Sequence, residues 1–432
     1  MGGRVTGSTI SGLIAPNRRY VRLVWPLSFG QLVSWGAIYY SFTLFLEPME
    51  AELGVARTDL TGALTLGLLI SGIGSLPVGA LIDKGHARVL MTVASLIGSA
   101  LLLAWSQVET MPQFYGIWAA LGVVHAATLY EPAFAVLVRT LGDLAPRAIA
   151  ATTLVAGFAS TAFIPLTHVL IEGFGWRGAL VGLAAANLIA ALIHFTSLRG
   201  QARDIPSPDG PSPDGPSPDG PSPDHGAPSR TGALRAAVKR PAFWWLTLAF
   251  TAGWFTTAAV TFHIVPMLAE RGYALAIAVS AVALIGPAQV AGRILVTIIA
   301  PSMELLTTGC IALGLPALGL ILVLAGPEGF WVIAAFAICY GIGNGIATIV
   351  RANAVAEIIG RAGFGAINGV MNVPVSAARA LAPSAASAIW IVSGSYDPVL
   401  WLLSLVCALG VLAFVIGVVL GRKEAARAHA AT

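Results

Sequence analysis

Charged residues are scarce in this chain. Asp, Glu, Lys and Arg make up 10% of its 432 residues, and 57% of the residues are hydrophobic. Soluble proteins carry roughly 25% charged residues, so this sequence cannot cover a water-facing surface. The formal net charge of +4 contains no basic block suited to nucleic acid. The composition therefore predicts a protein whose surroundings are a lipid bilayer, with no nucleic-acid partner.

The residues of most catalytic and metal sites are also missing. Cys310, Cys339 and Cys407 lie inside apolar runs without CxxC spacing, so we expect small hydrophobic residues rather than disulfides or metal ligands. The histidines are isolated, without the spacing of metal ligands. Paired carboxylates, a phosphate-binding loop, a nucleophile beside a base and an ATP motif are absent from the sequence. We therefore predict no enzyme, no metal and no cofactor.

Long apolar runs dominate what is present. Twelve runs of about 20 residues are each long enough to cross a hydrocarbon core of about 30 Å. The strict alternation of a membrane β-barrel is missing, so the spanning elements must be helices. The sequence thus predicts an all-α membrane protein with twelve transmembrane helices. The predicted spans are 24–46, 60–82, 89–107, 113–138, 150–171, 177–198, 243–267, 275–299, 304–325, 330–350, 366–392 and 398–420.

The basic residues predict the orientation of these spans. Nineteen of the 24 Lys and Arg residues fall in the two terminal segments and in the connections on the same side. Only Arg57, Arg177 and Arg271 fall in connections on the opposite side. Because positive residues accumulate on the cytoplasmic side, we expect both termini in the cytoplasm and the protein in a bacterial inner membrane.

A low-complexity segment divides the chain. Residues 206–225 repeat the sequence PSPDG without apolar content, so they cannot bury a core and are predicted to be disordered. Two six-helix halves fit a rocking transporter whose site lies at their interface. The predicted organisation is a cytoplasmic segment 1–23, a bundle 24–198, a cytoplasmic linker 199–242, a second bundle 243–420 and a cytoplasmic tail 421–432.

One predicted span, Asn368–Val392, carries a charge near its middle. Arg379 would cost a few kcal/mol at the centre of a bilayer, so it must face a polar cavity or a partner. Asn368, Asn372 and Ser376 lie on the same helical face as Arg379. We favour a cationic contact for an anionic substrate in a water-filled pathway. The alternative is a buried arginine that fixes helix packing through backbone carbonyls.

The connection after the second span carries a family signature. The sequence Gly79-Ala-Leu-Ile-Asp83-Lys84-Gly-His-Ala-Arg88 resembles the loop motif of the major facilitator superfamily, although its second Gly comes one place early and one closing base is missing. The resemblance covers roughly 20–421 and implies two six-helix bundles. It implies tight packing at Gly79, and Asp83 would pair with a base or cap a neighbouring helix when the inner side is closed.

A second element narrows the resemblance. Ala291-Gly292-Arg293-Ile294 resembles the Gly-Arg element of the monocarboxylate and oxalate–formate transporter branch. The resemblance implies that Arg293 and Arg379 hold a substrate carboxylate. Helix 1 lacks the lysine of animal monocarboxylate carriers, so coupling through that residue is not implied. Arg293 also lies close enough to the predicted inner boundary to snorkel to the cytoplasm instead.

Polar and aromatic stripes supply the remaining candidates. Such stripes are often packing, but helices 1, 4, 7 and 10 line the cavity in this superfamily. Glu131 either pairs with Arg139 or another base, or carries a coupling proton. The substrate-binding candidates are Arg293, Arg379, Gln289, Asn372, Asn344, Tyr340, Gln31, Trp35 and Tyr39. The candidates for proton coupling or gating are Glu131, Asp83, Lys84, Arg88, Arg139 and Arg351.

These predictions converge on a secondary transporter. We expect a monomer that moves a small organic anion, in the first instance a monocarboxylate, by alternating access with proton coupling or exchange. Since no ATP motif is present, uphill transport must draw on a gradient. A proton-driven exporter of amphipathic cations is one alternative, supported by Glu131, Trp35 and Tyr39. A membrane sensor that signals through the linker is another.

Overall fold

The computed structural model describes residues 18–199, 230–274, 277–278, 280, 283–299 and 302–430, and these residues contain helices but no strand. The PSPDG repeat and part of the predicted span 275–299 lie outside them. The helices are α1 Arg18–Ser34, α2 Phe42–Leu53, α3 Arg57–Asp83, α4 Ala87–Trp105, α5 Met111–Thr128, α6 Tyr130–Leu141, α7 Ala145–Ala156, α8 Ala159–Ser197, α9 Arg230–Lys239, α10 Pro241–Glu270, α11 Ile285–Ile294, α12 Leu305–Ala325, α13 Phe330–Ala354, α14 Phe364–Ser393 and α15 Asp397–Ala430.

The all-helical class is confirmed. Among the described residues, eight helical segments are long and apolar enough to cross a membrane. One of them, residues 111–197, comprises the successive helices α5 to α8, and α8 itself bends at Gly175, where φ is 70°. Helix α9 lies in the predicted linker, and α15 continues past the predicted end at 420 to Ala430. The count of twelve spans and the side of the termini stay predictions.

Three segments of the described backbone are π-helical rather than α-helical. A π-helical segment, Trp35–Tyr40, separates α1 from α2. Two further π segments, Leu295–Ile299 and Val355–Ile359, directly follow α11 and α13. Such segments recur at functional sites. At membrane depth, irregular backbone is tolerated only inside protein or beside a cavity.

The predicted span 113–138 is broken at Leu129, where the backbone is extended (φ −82°, ψ −152°). Pro132 explains the break, because it has no N–H to donate to the carbonyl of Thr128 four residues earlier. The Gln31 side chain supplies the missing donor from α1, with Nε2 2.6 Å from the Thr128 oxygen. A buried carbonyl is thus satisfied by tertiary structure rather than by its own helix.

The two halves of the chain meet along α3 and α14. The backbones of Gly79 and Gly365 are in direct contact, so a Cβ on either residue would overlap the carbonyl of the other. One turn further along, Ser75 Oγ donates to the Gly369 carbonyl at 3.0 Å. Small residues permit this approach of two helices in lipid. We call residues 18–199 the first bundle and residues 230–430 the second bundle.

At one end of the molecule the bundles are joined by polar contacts. The Asp83 carboxylate, at the end of α3, accepts the backbone N–H groups of Gly365 at 3.1 Å and Ala366 at 2.9 Å. These N–H groups belong to the unpaired first turn of α14, where the helix dipole favours an anion. Arg139 Nη1 donates to the Asp83 backbone carbonyl at 2.7 Å. We call this the Asp83 end.

At the opposite end, a clamp ties helices of the first bundle together. The Glu52 carboxylate, at the end of α2, accepts Trp176 Nε1 at 2.5 Å and Arg177 Nε at 2.9 Å. The same guanidinium donates to the Ser106 carbonyl, just after α4, at 2.7 Å. One arginine on α8 therefore holds α2 and α4.

A similar clamp ties the second bundle at the same end. Arg271, just after α10, forms an ion pair with Asp397 at the start of α15 and donates to the Leu324 carbonyl of α12 at 3.3 Å. The neighbouring Glu270 accepts Trp390 Nε1 of α14 at 2.8 Å. We call this the Glu270 end.

The buried apolar residues are also arranged differently at the two ends of the molecule. One hydrophobic core draws on both bundles, from Leu23 and Ile82 to Phe364 and Val418, and lies toward the Asp83 end. Two further cores each belong to one bundle: one spans residues 37–184 and the other spans residues 259–407. The bundles thus share a core at the Asp83 end and have separate cores toward the Glu270 end.

Candidate functional site

A cavity of about 370 Å³ lies between the two bundles. It extends toward the Glu270 end, where Ile164 of α8 and Thr261 and Ile264 of α10 line it. Of the nine predicted substrate-binding residues, seven line this cavity: Arg293, Arg379, Gln289, Asn344, Tyr340, Trp35 and Tyr39. No Asp or Glu is among the described residues that line it. Its walls therefore carry positive charge without a compensating carboxylate.

Arg379 points into this cavity from the middle of α14. Its Nη2 donates to the hydroxyl of Tyr39 at 2.9 Å, and its Cζ lies 4.6 Å from the centre of the Trp254 ring. A guanidinium over a tryptophan face is favoured by the quadrupole of the ring. These contacts hold Arg379 in place without cancelling its charge, so it is available to an anion.

Arg293 is the second cation, carried on α11. Its residue is 5% exposed, so it does not snorkel to a headgroup region. Its guanidinium packs against Gly157, in the turn between α7 and α8, where a Cβ would collide with it. Arg293 Nε has no hydrogen-bond partner among the described residues. Because Gly157 has no side chain, Arg293 of the second bundle packs directly against the backbone of the first bundle.

Glu131 forms an ion pair across the two bundles. Its Oε1 lies 3.4 Å from Nη1 of Arg351, which joins α6 to α13. Arg351 Nη2 also reaches the side-chain oxygens of Asn372 at 3.2 Å and Asn368 at 3.4 Å. The group lines a smaller cavity of about 40 Å³, which shares Arg379 with the larger one. The partner of Glu131 is thus Arg351 rather than Arg139.

The two other predicted binding residues lie outside the larger cavity. Asn372 lines the smaller cavity instead. Gln31 lines neither, because its amide is used by the Thr128 carbonyl. Within the larger cavity, Asn344 Oδ1 accepts the Thr257 hydroxyl at 2.9 Å, while Asn344 Nδ2 has no partner among the described residues. The Asn344 oxygen is therefore used by Thr257, and its amide nitrogen is buried in the cavity wall.

The predicted gating residues are divided between two tasks. Asp83 and Arg139 take part in the contacts of the Asp83 end. Lys84 is exposed, and Arg88 Nε donates to the Phe195 carbonyl at 2.9 Å within the first bundle. The signature loop therefore contributes its acidic residue to the interface between bundles and Arg88 to packing within one bundle.

Several residues of the site are not among the sequence candidates, and Tyr40, Tyr130 and Gly157 are examples. Tyr40 and Tyr130 line the larger cavity, and Gly157 accommodates Arg293. Tyr40 escapes helical spacing because it lies in the π segment. Tyr130 could have been found, since Pro132 marks the start of a new helix after Leu129. No sequence signal identifies Gly157.

Comparison with known proteins places these features in a family. Residues 27–383 match the model of the Major Facilitator Superfamily. Monocarboxylate transporter 13 of Rattus norvegicus is 27% identical over 164 residues, which span 38% of this chain and 36% of that protein. The oxalate:formate antiporter of Oxalobacter formigenes is 29% identical over 183 residues, which span 40% of this chain and 42% of that protein. The matches thus span well under half of either relative, and the sequence resemblance to this branch is confirmed.

Solved structures share the fold. The human organic anion transporter MFSD10 superposes with a TM-score of 0.68 at 15% identity, covering 92% of this chain and all (100%) of that one. The transporter FucP, in its outward conformation, superposes with a TM-score of 0.69 at 14% identity, covering 94% and 99% of the two chains. At these identities the likeness concerns the fold.

Proposed function

This chain belongs to the Major Facilitator Superfamily, and we propose that it is a secondary active transporter of a small organic anion, in the first instance a monocarboxylate. The observation that carries the proposal is the pair Arg293 and Arg379 on one cavity, whose described lining has no carboxylate. The two similar proteins, a monocarboxylate transporter and an oxalate:formate antiporter, are named for carboxylate substrates, which supports the same substrate class.

The charges give the anion a reason to bind. Arg293 and Arg379 face the same cavity from α11 and α14, so without a ligand they repel each other and must be hydrated. A carboxylate relieves both penalties, and each guanidinium can offer it two parallel N–H donors. Because both arginines belong to the second bundle while Arg293 touches the first bundle at Gly157, the anion would bind where the bundles must move. Differential binding of this kind shifts a conformational equilibrium.

The Glu131–Arg351 pair is the proposed site of proton coupling. It crosses between bundles beside the cavity, so protonation of Glu131 would remove one of the contacts that hold the bundles together. Arg351 would then be free to turn toward another anion. An exchange mechanism would use the same pair without a proton, with the second anion as the partner of Arg351.

The proposed orientation follows from the basic residues. With the Asp83 end in the cytoplasm of a bacterial inner membrane, the contacts of Asp83 and Arg139 close the inner side. The cavity then faces outward. An exporter of amphipathic cations would need an acidic cavity, whereas the described lining of the larger cavity has only cationic charges. The anion is therefore the favoured cargo.

Uptake into proteoliposomes tests this function. We expect a labelled monocarboxylate to accumulate above the level in protein-free liposomes, faster with an inward proton gradient if coupling is by symport. Arg293→Gln and Arg379→Gln should each lower uptake at least tenfold, because each removes one fork of the anion site. Arg427→Gln, in the exposed end of α15, is the matched control and should transport like the parent. Normal uptake by both cavity variants would refute the anion site.

A further inference from the structure

We propose that the anion carries a flat aromatic ring, so that the substrate class is an aromatic carboxylate rather than a carboxylate of two or three carbons. This inference rests on the proposed function, since it assigns the charged end of the substrate to Arg293 and Arg379. It adds a site for the remainder of the molecule. That site is the aromatic wall, which we define as Trp35, Tyr39, Tyr40 and Tyr130.

The aromatic wall is a continuous surface on the first bundle. The Trp35 ring centre lies 4.8 Å from that of Tyr130, 5.2 Å from that of Tyr39 and 5.9 Å from that of Tyr40. All four residues line the 370 Å³ cavity, and the three tyrosines are half-buried while Trp35 is buried. Trp35 is thus the buried centre of the wall, and the three tyrosines pack against it while keeping part of their surface on the cavity.

Irregular backbone creates this wall. Trp35, Tyr39 and Tyr40 occupy the π segment between α1 and α2, and Tyr130 follows the break at Leu129. In a regular α-helix Tyr40, five residues after Trp35, would lie about 140° around the axis from it, whereas the i→i+5 repeat of a π-helix brings both toward one face. An unbroken span would carry Tyr130 on with α5. The chain thus departs from helical geometry at two places, and both departures bring aromatic rings to one cavity. Backbone of this kind is found at functional sites.

The arginine pair and the aromatic wall lie on different bundles, although Trp254 and Tyr340 of the second bundle also line the cavity. Arg293 and Arg379 belong to the second bundle, and the aromatic wall belongs to the first. A ring with a carboxylate attached can contact both, whereas acetate at the arginines leaves the wall in contact with water. Only a ligand that contacts both bundles gains affinity when the cavity narrows. The ring therefore gives substrate binding a direct effect on closure.

The volume of the cavity agrees with a ring. Taking about 30 Å³ for each water-sized group, a carboxylate of two or three carbons fills on the order of 100 Å³, well below the 370 Å³ of the cavity. Ring faces favour offset or edge-on aromatic contacts over aliphatic ones of equal area. The wall should therefore distinguish a planar ring from a puckered one.

Binding of two matched carboxylates tests the inference. Benzoate and cyclohexanecarboxylate have the same number of heavy atoms and are both ionised at pH 7, but only benzoate is flat. Titrating each into the purified full-length protein and following its thermal stability gives a Kd. We expect benzoate to bind at least fivefold more tightly, which corresponds to about 1 kcal/mol. Benzyl alcohol, which has the ring without the charge, should bind more weakly than either.

Variants of the wall make the test specific. Tyr130→Leu and Tyr40→Leu should each reduce the preference for benzoate over cyclohexanecarboxylate to below twofold. Tyr20→Leu makes the same change on α1 outside the cavity lining, and its preference should equal that of the parent. A wall variant that keeps the fivefold preference would overturn the assignment of the ring to the wall.

The possible failures are distinguishable. If both carboxylates bind equally and Arg379→Gln weakens both, the ring inference is wrong and the anion site stands. If neither carboxylate nor acetate binds, the anion site and the ring inference fall together. If benzyl alcohol binds as tightly as benzoate, the cavity recognises rings without the arginines, and the aromatic carboxylate is the wrong class.

Discussion

The two ends of the molecule are held together in different ways. At the Asp83 end, polar contacts and a shared hydrophobic core join one bundle to the other. At the Glu270 end, the ion pairs Glu52–Arg177 and Arg271–Asp397 each stay inside one bundle, and the hydrophobic cores are separate. The difference distinguishes two kinds of contact. Contacts between the bundles can break while each bundle keeps its own fold, as a conformational change would require. Contacts within a bundle keep that bundle rigid.

The clamps at the Glu270 end also relate the two halves. In the first bundle the arginine comes from α8 and the acid from α2; in the second bundle the arginine follows α10 and the acid comes from α15. In the predicted order of spans, α2 and α10 belong to the first span of each half, and the later part of α8 and α15 belong to the last, so the charges are exchanged while the clamp is kept. Rigid bundles that rock against each other require such internal ties.

Widening the contact between α3 and α14 should have the largest effect on this comparison. Gly79→Val places side-chain atoms where the Gly365 carbonyl lies. Overpacking of this kind costs about 1–3 kcal/mol, so the ratio of open to closed Asp83 ends should rise up to about 100-fold. Spin labels at 86 and 362 should separate, measured by double electron–electron resonance in nanodiscs.

A valine elsewhere provides the control for that variant. A Cβ on Gly116, in α5, would meet no other atom within 4 Å. Gly116→Val should therefore leave the distance between labels at 86 and 362 as in the parent. An unchanged distance in Gly79→Val would show that the glycine contact does not hold the Asp83 end closed.

Removing the cap on α14 should have the next largest effect. Asp83→Asn keeps the size of the side chain but replaces two charge-assisted hydrogen bonds to Gly365 and Ala366. A loss of about 2 kcal/mol would raise the open fraction about 30-fold. The same label pair measures it, and Asp397→Asn at the Glu270 end should leave the distance as it is.

Neutralising the ion pair between bundles should have a smaller effect. Glu131→Gln leaves Arg351 without its carboxylate, but the paired atoms are 3.4 Å apart and Arg351 keeps Asn368 and Asn372 as partners, so we expect about 1 kcal/mol, or roughly fivefold. The label pair at 86 and 362 measures this change. Glu304→Gln, whose partner Arg422 lies in the same bundle, should leave the distance as in the parent.

Weakening a clamp at the Glu270 end should have the smallest effect on the ratio of open to closed conformations. Glu52→Gln weakens an ion pair whose side chains are 34% and 47% exposed and lie in one bundle. The first bundle should become slightly less stable to heat, while labels at 109 and 328 report a balance within twofold of the parent. A larger shift would mean that the clamp acts between bundles.

The sequence predicts what depends on apolar length and on charge in lipid. The predicted spans follow from runs of about 20 apolar residues, and the proposed role of Arg379 follows from its position within one of them. The structure adds that Arg293 faces the same cavity. Helical spacing could not decide whether Arg293 faces the cavity or snorkels to the cytoplasm. The residue against which its guanidinium packs is Gly157, which is distant in the sequence.

The features that escaped the sequence depend on tertiary contacts. Helical spacing placed Gln31 beside Trp35 and Tyr39 in the cavity, yet its amide bonds the Thr128 carbonyl that Pro132 cannot satisfy. Glu131 had a possible partner two turns away in Arg139, but Arg351 lies closer in space. Proline chemistry predicts that a helix will be disturbed, but it does not say which distant side chain repairs it.

The break at Leu129 separates α5 from α6, so the two helices can change their relative tilt within the first bundle. Helix α6 begins after it with Tyr130 and Glu131 as consecutive residues. A tilt of this short helix, driven by a change in the attraction between Glu131 and Arg351, also displaces the Tyr130 ring. In the proposed coupling mechanism, one turn of backbone would link protonation of a carboxylate to the shape of the aromatic wall.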